Sequence, residues 1–127
     1  MSKKLCYFFD LWLFFEKQVD IFALAKKFKQ TPDEIITNEQ ADDTNKTAKL
    51  FYISHSYDDY DLGEMFSEYV IKLKQDFPNL KQVLKENNGE GWVNIVFKQT
   101  GDCAMFFKQE TIDYLSELGL NIDICKD

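Results

Sequence analysis

"LCYFFDLWLFF", residues 5–15, decides how the rest of the chain must fold. So apolar a run is a membrane segment, the apolar part of a secretion signal, or a buried strand. A membrane helix needs about 20 such residues, and this run is too short. Asp10 interrupts its middle, and no small-residue cleavage site follows. Its wealth of Phe, Tyr and Trp suits a pleated backbone. The expectation is a central strand over residues 3–15, covered on both faces.

A central strand needs neighbours, and the chain supplies them on both sides. "QVDIFALAKKFKQ", residues 18–30, carries Ile21, Leu24, Ala25 and Phe28 at helical spacing, with Asp20 placed to cap the start. Pro32 bars helix at Thr31. Ile35 and Ile36 predict a short strand, and "ADDTNKTA", residues 41–48, predicts a polar loop. From Lys49 to Tyr57 the chain alternates. Phe51, Ile53, His55 and Tyr57 fall on one face, and Leu50, Tyr52, Ser54 and Ser56 on the other.

Leu62, Met65, Phe66, Tyr69, Val70 and Leu73 form one helical stripe, with Gly63 inside it. Phe77-Pro78 ends that helix and starts another, Pro78 near the favoured first position. This second helix ends at "NNG", where Gly89 suits a left-handed cap. A strand follows with Val93, Ile95 and Phe97 inward. "CAMFF", residues 103–107, predicts a short extended piece, and "QETIDYLSELG", residues 109–119, a short helix. Leu120, Ile122 and Ile124 alternate in a last strand.

The order is β-α-β-β-α-β-α-β over a single domain, residues 1–127. It predicts an α+β fold, a mainly antiparallel sheet with helices on one face. Its first six elements give a ferredoxin-like (βαββαβ) core, with an added C-terminal αβ unit. Phe66 faces the sheet, opposite Phe51 or Tyr52, Val93, Ile95, Phe97, Ile122 and Ile124.

Three stretches resemble the bacterial domain-of-unknown-function family numbered 4279. "MFFKQETIDYLSELGLNIDICKD", residues 105–127, is similar to that family's strand, turn, "LAELGA"-like helix and "IDID" end. "FALAKKFKQTPDEI", residues 22–35, resembles its first helix. "HSYDDYDLGEMFSEYVIKLKQDFPNLKQVLKE", residues 55–86, resembles its central helix pair. The chain differs at "NKTAKLF", residues 45–51, where the family carries a basic-Gly turn and a tryptophan. The resemblance implies a fold and no activity.

Charge narrows the function. The net charge is −7, and all fifteen cations are lysine. An acidic chain without arginine is a poor reader of phosphate backbones, so no nucleic-acid partner is expected. The missing arginine fits the codon usage of an AT-rich bacterial genome. Cys6, Cys103 and Cys125 form no CxxC pair and no disulfide framework, which points to a reducing cytoplasm. No membrane partner is expected. Cys103 and Cys125 are candidate reactive thiols without an adjacent base.

The one histidine, His55, lies in "SHSYDDYD", residues 54–61. One histidine with no nearby cysteine does not make a zinc site, and the acids lack the EF-hand spacing. No metal, cofactor or catalytic constellation is read here. Asp58 or Asp59 instead caps the following helix, and the acids in its first turns complement the helix dipole. A strip of Tyr57, Asp58, Asp59, Tyr60, Asp61, Glu64 and Glu68 is the candidate surface for a basic protein partner. The expectation is a non-catalytic protein-binding module, with an immunity or antitoxin-like protein as its concrete form. The alternative is a small-ligand binder or enzyme using the His55 region. Edge strands near Ile35 and Phe51 leave the choice between a monomer and a weak homodimer.

Overall fold

A computed structural model describes residues 6–16, 18–37, 48–58, 62–98 and 106–126. The elements run β1 (Cys6–Phe15), α1 (Ile21–Ala25), β2 (Glu34–Ile36), β3 (Ala48–Asp58), α2 (Leu62–Asp76), α3 (Leu80–Glu86), β4 (Glu90–Lys98), α4 (Gln109–Leu118) and β5 (Leu120–Lys126). They build an α+β fold around one five-stranded sheet of order β2-β3-β1-β4-β5. Every pairing is antiparallel except β4 with β5. Parallel neighbours cannot be joined by a hairpin, and α4 lies within the crossover that joins these two. Gly119, at φ 72°, ends α4 in the left-handed conformation that glycine adopts without strain.

The first run is central as expected, since β1, its residues 6–15, lies between β3 and β4. Its alternation then sorts the molecule into two sides. Phe9, Leu11, Leu13 and Phe15 are fully buried. Leu11 and Leu13 pair with Tyr52 and Leu50 of β3, and Phe9 and Leu11 with Ile95 and Val93 of β4. Directly opposed residues share a face, so all of these line one side. The stripe on α2 meets them there. Phe66 and Val70 are fully buried, Leu73 nearly so, and Met65 and Tyr69 pack against the same core. Phe66 sets its ring edge-on to Phe9 at 5.2 Å.

The other side differs from the expectation of a strand covered on both faces. Phe8, Trp12 and Phe14 are only half-buried, and none belongs to the core cluster. Among the described residues, the buried apolar side chains of the helices pack into the one core on the opposite side. A run of apolar residues does not distinguish a doubly covered strand from one whose second face is aromatic and open.

Asp20 caps α1 as its position predicts, accepting a hydrogen bond from the Ala23 amide at 3.1 Å. The helix stops sooner than its apolar spacing suggests, at Ala25, although Phe28 is still buried against Phe77. In β3 the inward residue is Tyr52, not Phe51, and Ile53 is 59% exposed. The alternation drawn from Lys49 to Tyr57 does not run through. Phe8 pairs with Ser56 but Asp10 with Ile53, so three steps of β3 match two of β1, with Ser54 and His55 at the irregularity. A bulge leaves no mark in a hydrophobic pattern that short. Asp58 closes β3 opposite Cys6, four residues before α2, and so is not its cap. Asp59 lies outside the described residues, as do residues 41–47 of the polar loop and 103–105 of the short extended piece.

Two further expectations are displaced by one or two residues. Helix α3 begins at Leu80, after Asn79 at φ 62°, so Pro78 lies in the turn before the cap and not at the first helical position. At "NNG" the left-handed residue is Asn88, at φ 48°. Gly89 is needed for space: a Cβ there would lie 2.7 Å from Phe15 Cδ1 and 2.9 Å from the Phe14 carbonyl oxygen. Gly89→Ala must push β1 or bend the α3–β4 turn, and should destabilise by about 1–3 kcal/mol in urea unfolding. Ile124 stands beside Ile95 in register yet is 46% exposed, because β5 is an edge strand. The other edge is β2, with Ile35. Phe51 belongs to β3, which is internal.

Tyr52 carries a cost within the core. Its ring meets Phe77 edge-on at 4.9 Å, but its hydroxyl is buried without a hydrogen-bond partner among the described residues. Burial pushes its ionisation well above the ordinary tyrosine range. The folded state keeps this proton where the unfolded chain loses it, from about pH 10 upward. Stability is therefore lost as pH rises through that region. Tyr52→Phe should raise stability near neutral pH by about 1 kcal/mol and lessen the alkaline loss. Urea unfolding at neutral and alkaline pH checks both.

Candidate functional site

The acidic strip read from the sequence is described only in part. Tyr57 and Asp58 belong to the end of β3, where the register pairs them with Tyr7 and Cys6. Asp59, Tyr60 and Asp61 lie outside the described residues. Glu64 and Glu68 are exposed, one turn apart on α2. Lys108 places its Nζ 2.5 Å from Glu64 Oε1, so a cation of the chain already faces part of the strip. Such an exposed pair contributes about 0–1 kcal/mol. His55 lies at the irregularity of β3, and its side chain is outside the described residues.

The open side of the sheet brings more together. The pairing of β1, β4 and β5 sets its side chains in rows. Phe14 stands opposite Glu90, Trp12 opposite Trp92 with Asn121 beyond, and Asp10 opposite Asn94 with Asp123 beyond. On the other flank Trp12 faces Phe51, and Phe14 faces Lys49. The rings lie nearly flat against one another. Trp12 stacks on Phe51 at 4.0 Å and 25°, and lies 5.9 Å from Phe14 at 13°. Lys49 holds its Nζ 5.6 Å from the centre of the Phe14 ring, a cation over an aromatic face.

A shallow cleft of about 520 Å³ opens in this surface, lined by Trp12, Phe14, Glu90, Trp92, Asn94 and Asp123. Among the described residues its walls hold two carboxylates, Glu90 and Asp123. Asp10 is 8% exposed at the end of the same face. It is a strand residue beside Asn94, set among aromatics because every second position of β1 points to this side. Both tryptophans of the chain are here. The sequence signal was present: Trp12 and Trp92 occupy even positions of strands whose odd positions form the core. Pairing their strands required the register.

Flat rings offer negative π faces, and the carboxylates at the rim add charge. Cys125, exposed at the far end, donates its thiol hydrogen to Asp123 Oδ2 at 3.3 Å. That bond holds its ionisation up, keeping the thiol protonated at neutral pH and a poor nucleophile. Cys103 is outside the described residues. Among the described residues no group of His, Cys, Asp and Glu gathers to hold a metal ion.

On the helical side a second hollow is lined by Lys74, Leu80, Lys81, Gln82, Glu117 and Leu118, among others. Lys74 bridges Glu117 at 3.0 Å and lies 3.9 Å over the Tyr114 ring. No described helix is long and apolar enough to cross a membrane. No family model, no curated protein and no solved structure matches this chain.

Proposed function

We propose that this protein is a non-catalytic cytoplasmic module that docks a basic protein partner on the open face of its sheet. The observation that carries this reading is the face itself. Trp12, Trp92, Phe14 and Phe51 are gathered opposite the core, beside Glu90 and Asp123. Interfaces draw most of their energy from a few aromatic anchors in desolvated positions, and complementary charge steers the encounter. A net charge of −7 favours a cationic partner. An immunity- or antitoxin-like role, neutralising a basic toxin, is the concrete form, and its warrant is analogy among small acidic proteins.

The order β2-β3-β1-β4, antiparallel throughout, supports a ferredoxin-like core carrying an αβ addition. Kinship with family 4279 belongs to the same proposal and is carried by the stretches of sequence that resemble it.

Affinity capture from the native host, identification of the bound protein and reconstitution from purified components test the reading. The expected partner is basic, and its affinity falls about tenfold from low to high salt as charges are screened. A reconstituted partner that is acidic, or whose binding ignores salt, would overturn it. Light scattering of the free chain at high concentration separates the monomer from a weak homodimer.

A further inference from the structure

We propose that Asn88 is a deamidation site held in check by the fold. The turn between α3 and β4 keeps the Gly89 amide from attacking the Asn88 side chain, and opening of that turn releases the reaction. The product is an acid at position 88, in normal or isoaspartyl linkage. This site goes beyond the docking reading and does not rest on it.

The sequence supplies the chemistry. In "ENNGEG", residues 86–91, Asn88 stands directly before a glycine. The main-chain nitrogen after the asparagine must reach the side-chain carbon, and glycine, without a side chain, hinders that approach least. The Gly89 nitrogen loses its proton to solvent base and bonds to Asn88 Cγ. The side-chain nitrogen leaves as ammonia, and a five-membered imide remains. Water opens this ring at one carbonyl or the other, giving aspartate or isoaspartate. Water is the only co-reactant, and Asn88 is exposed to it.

The structure supplies the brake. Asn88 follows the end of α3 in the left-handed conformation, at φ 48°. The Gly89 amide then donates back to the Leu84 carbonyl at 2.7 Å, a closure that seals many helix ends. An amide hydrogen held in that bond is not free to leave, and its nitrogen is fixed in direction. Gly89 is also wedged against β1, where a Cβ would lie 2.7 Å from Phe15 Cδ1. Asn87 adds a second tie, its side-chain amide donating to the Val83 carbonyl at 2.8 Å. The nitrogen meets Asn88 Cγ only when the turn opens, and packed elements open rarely. The two products then part. Aspartate keeps the main chain and fits the turn. Isoaspartate lengthens the main chain by one carbon beside a glycine that Phe15 already crowds, so that product loses the turn.

The full chain is aged in warm, mildly alkaline buffer, once folded and once in urea. It is then cleaved after lysine and read by mass spectrometry. The peptide of residues 86–98 carries Asn87, Asn88 and Asn94 together. In urea Asn88 should convert first, because the branched Ile95 hinders attack at Asn94. In the folded chain its rate should fall about tenfold or more, as for an opening populated less than a tenth of the time. Asn87→Ala removes the second tie and leaves the Asn88-Gly89 pair as it is. Its folded rate, taken relative to its own rate in urea, should rise about threefold, as for one lost hydrogen bond. Equal rates in the folded and unfolded chain, first conversion at Asn87 or Asn94, or an unchanged ratio in Asn87→Ala would overturn the proposal.

Discussion

Phe66→Ala should lower the stability of the domain by about 3–5 kcal/mol in urea unfolding. Domains of this kind are stable by about 5–15 kcal/mol in total, so the loss is a large share. The reason is position. Phe66 is fully buried at the centre of the α2 stripe and joins three parts of the chain. Its ring meets Phe9 of β1 at 5.2 Å, Tyr69 of its own helix at 6.3 Å, and Phe107 before α4 at 5.3 Å. Alanine leaves a cavity bounded by rings that β1 and α2 fix in place, so collapse is limited. Phe66→Leu, which fills more of the space, should recover more than half of the loss. A neutral Phe66→Ala would mean that α2 meets the sheet in another register.

Phe77→Ala should cost a similar amount, about 3–5 kcal/mol, but with a different local signature. Phe77 is fully buried just beyond α2, and its amide still bonds the Leu73 carbonyl at 2.8 Å. It meets Phe28 at 5.0 Å and Tyr52 at 4.9 Å, tying the segment after α1 to β3. Helix α1 has five residues, too few to stand alone. Lys29 gives its amide to the Asp76 carbonyl at 2.8 Å, and Gln30 its side-chain amide to Asp76 Oδ2 at 2.7 Å. Losing Phe77 should loosen this junction first. Amide exchange at Leu24, Lys26 and Lys29 should accelerate before that of β1. Uniform acceleration across the sheet would show that the junction is not a separate unit of opening.

Much of this architecture is legible in the sequence because period and capping are local. The α2 stripe, the Asp20 cap, the Gly119 stop and the alternation of Val93 with Ile95 each follow from neighbours within a few residues. What escapes is set by partners far away in the chain. The bulge at Ser54–His55 exists only relative to β1, and Gly89 is constrained by Phe15, not by its own turn. Ile124 looks inward by parity yet is exposed, since β5 stands at an edge of the described sheet. The candidate site escaped for the same reason. "SHSYDDYD" is conspicuous as a string, whereas Trp12 and Trp92 are 80 positions apart and become neighbours only through the β1–β4 register. Aromatic residues in strands read as core until one asks which parity the helices cover.

The most direct measurement of the docking claim is the pair of indole N–H resonances in a ¹⁵N-resolved spectrum, one from Trp12 and one from Trp92, as the reconstituted basic partner is added. Docking on the open sheet face predicts that both indole signals shift or broaden, together with the side-chain amide of Asn94, while the backbone amides of Glu64 and Glu68 on α2 stay in place. Unmoved indoles with perturbed Glu64 and Glu68 would contradict the account and place the partner on α2.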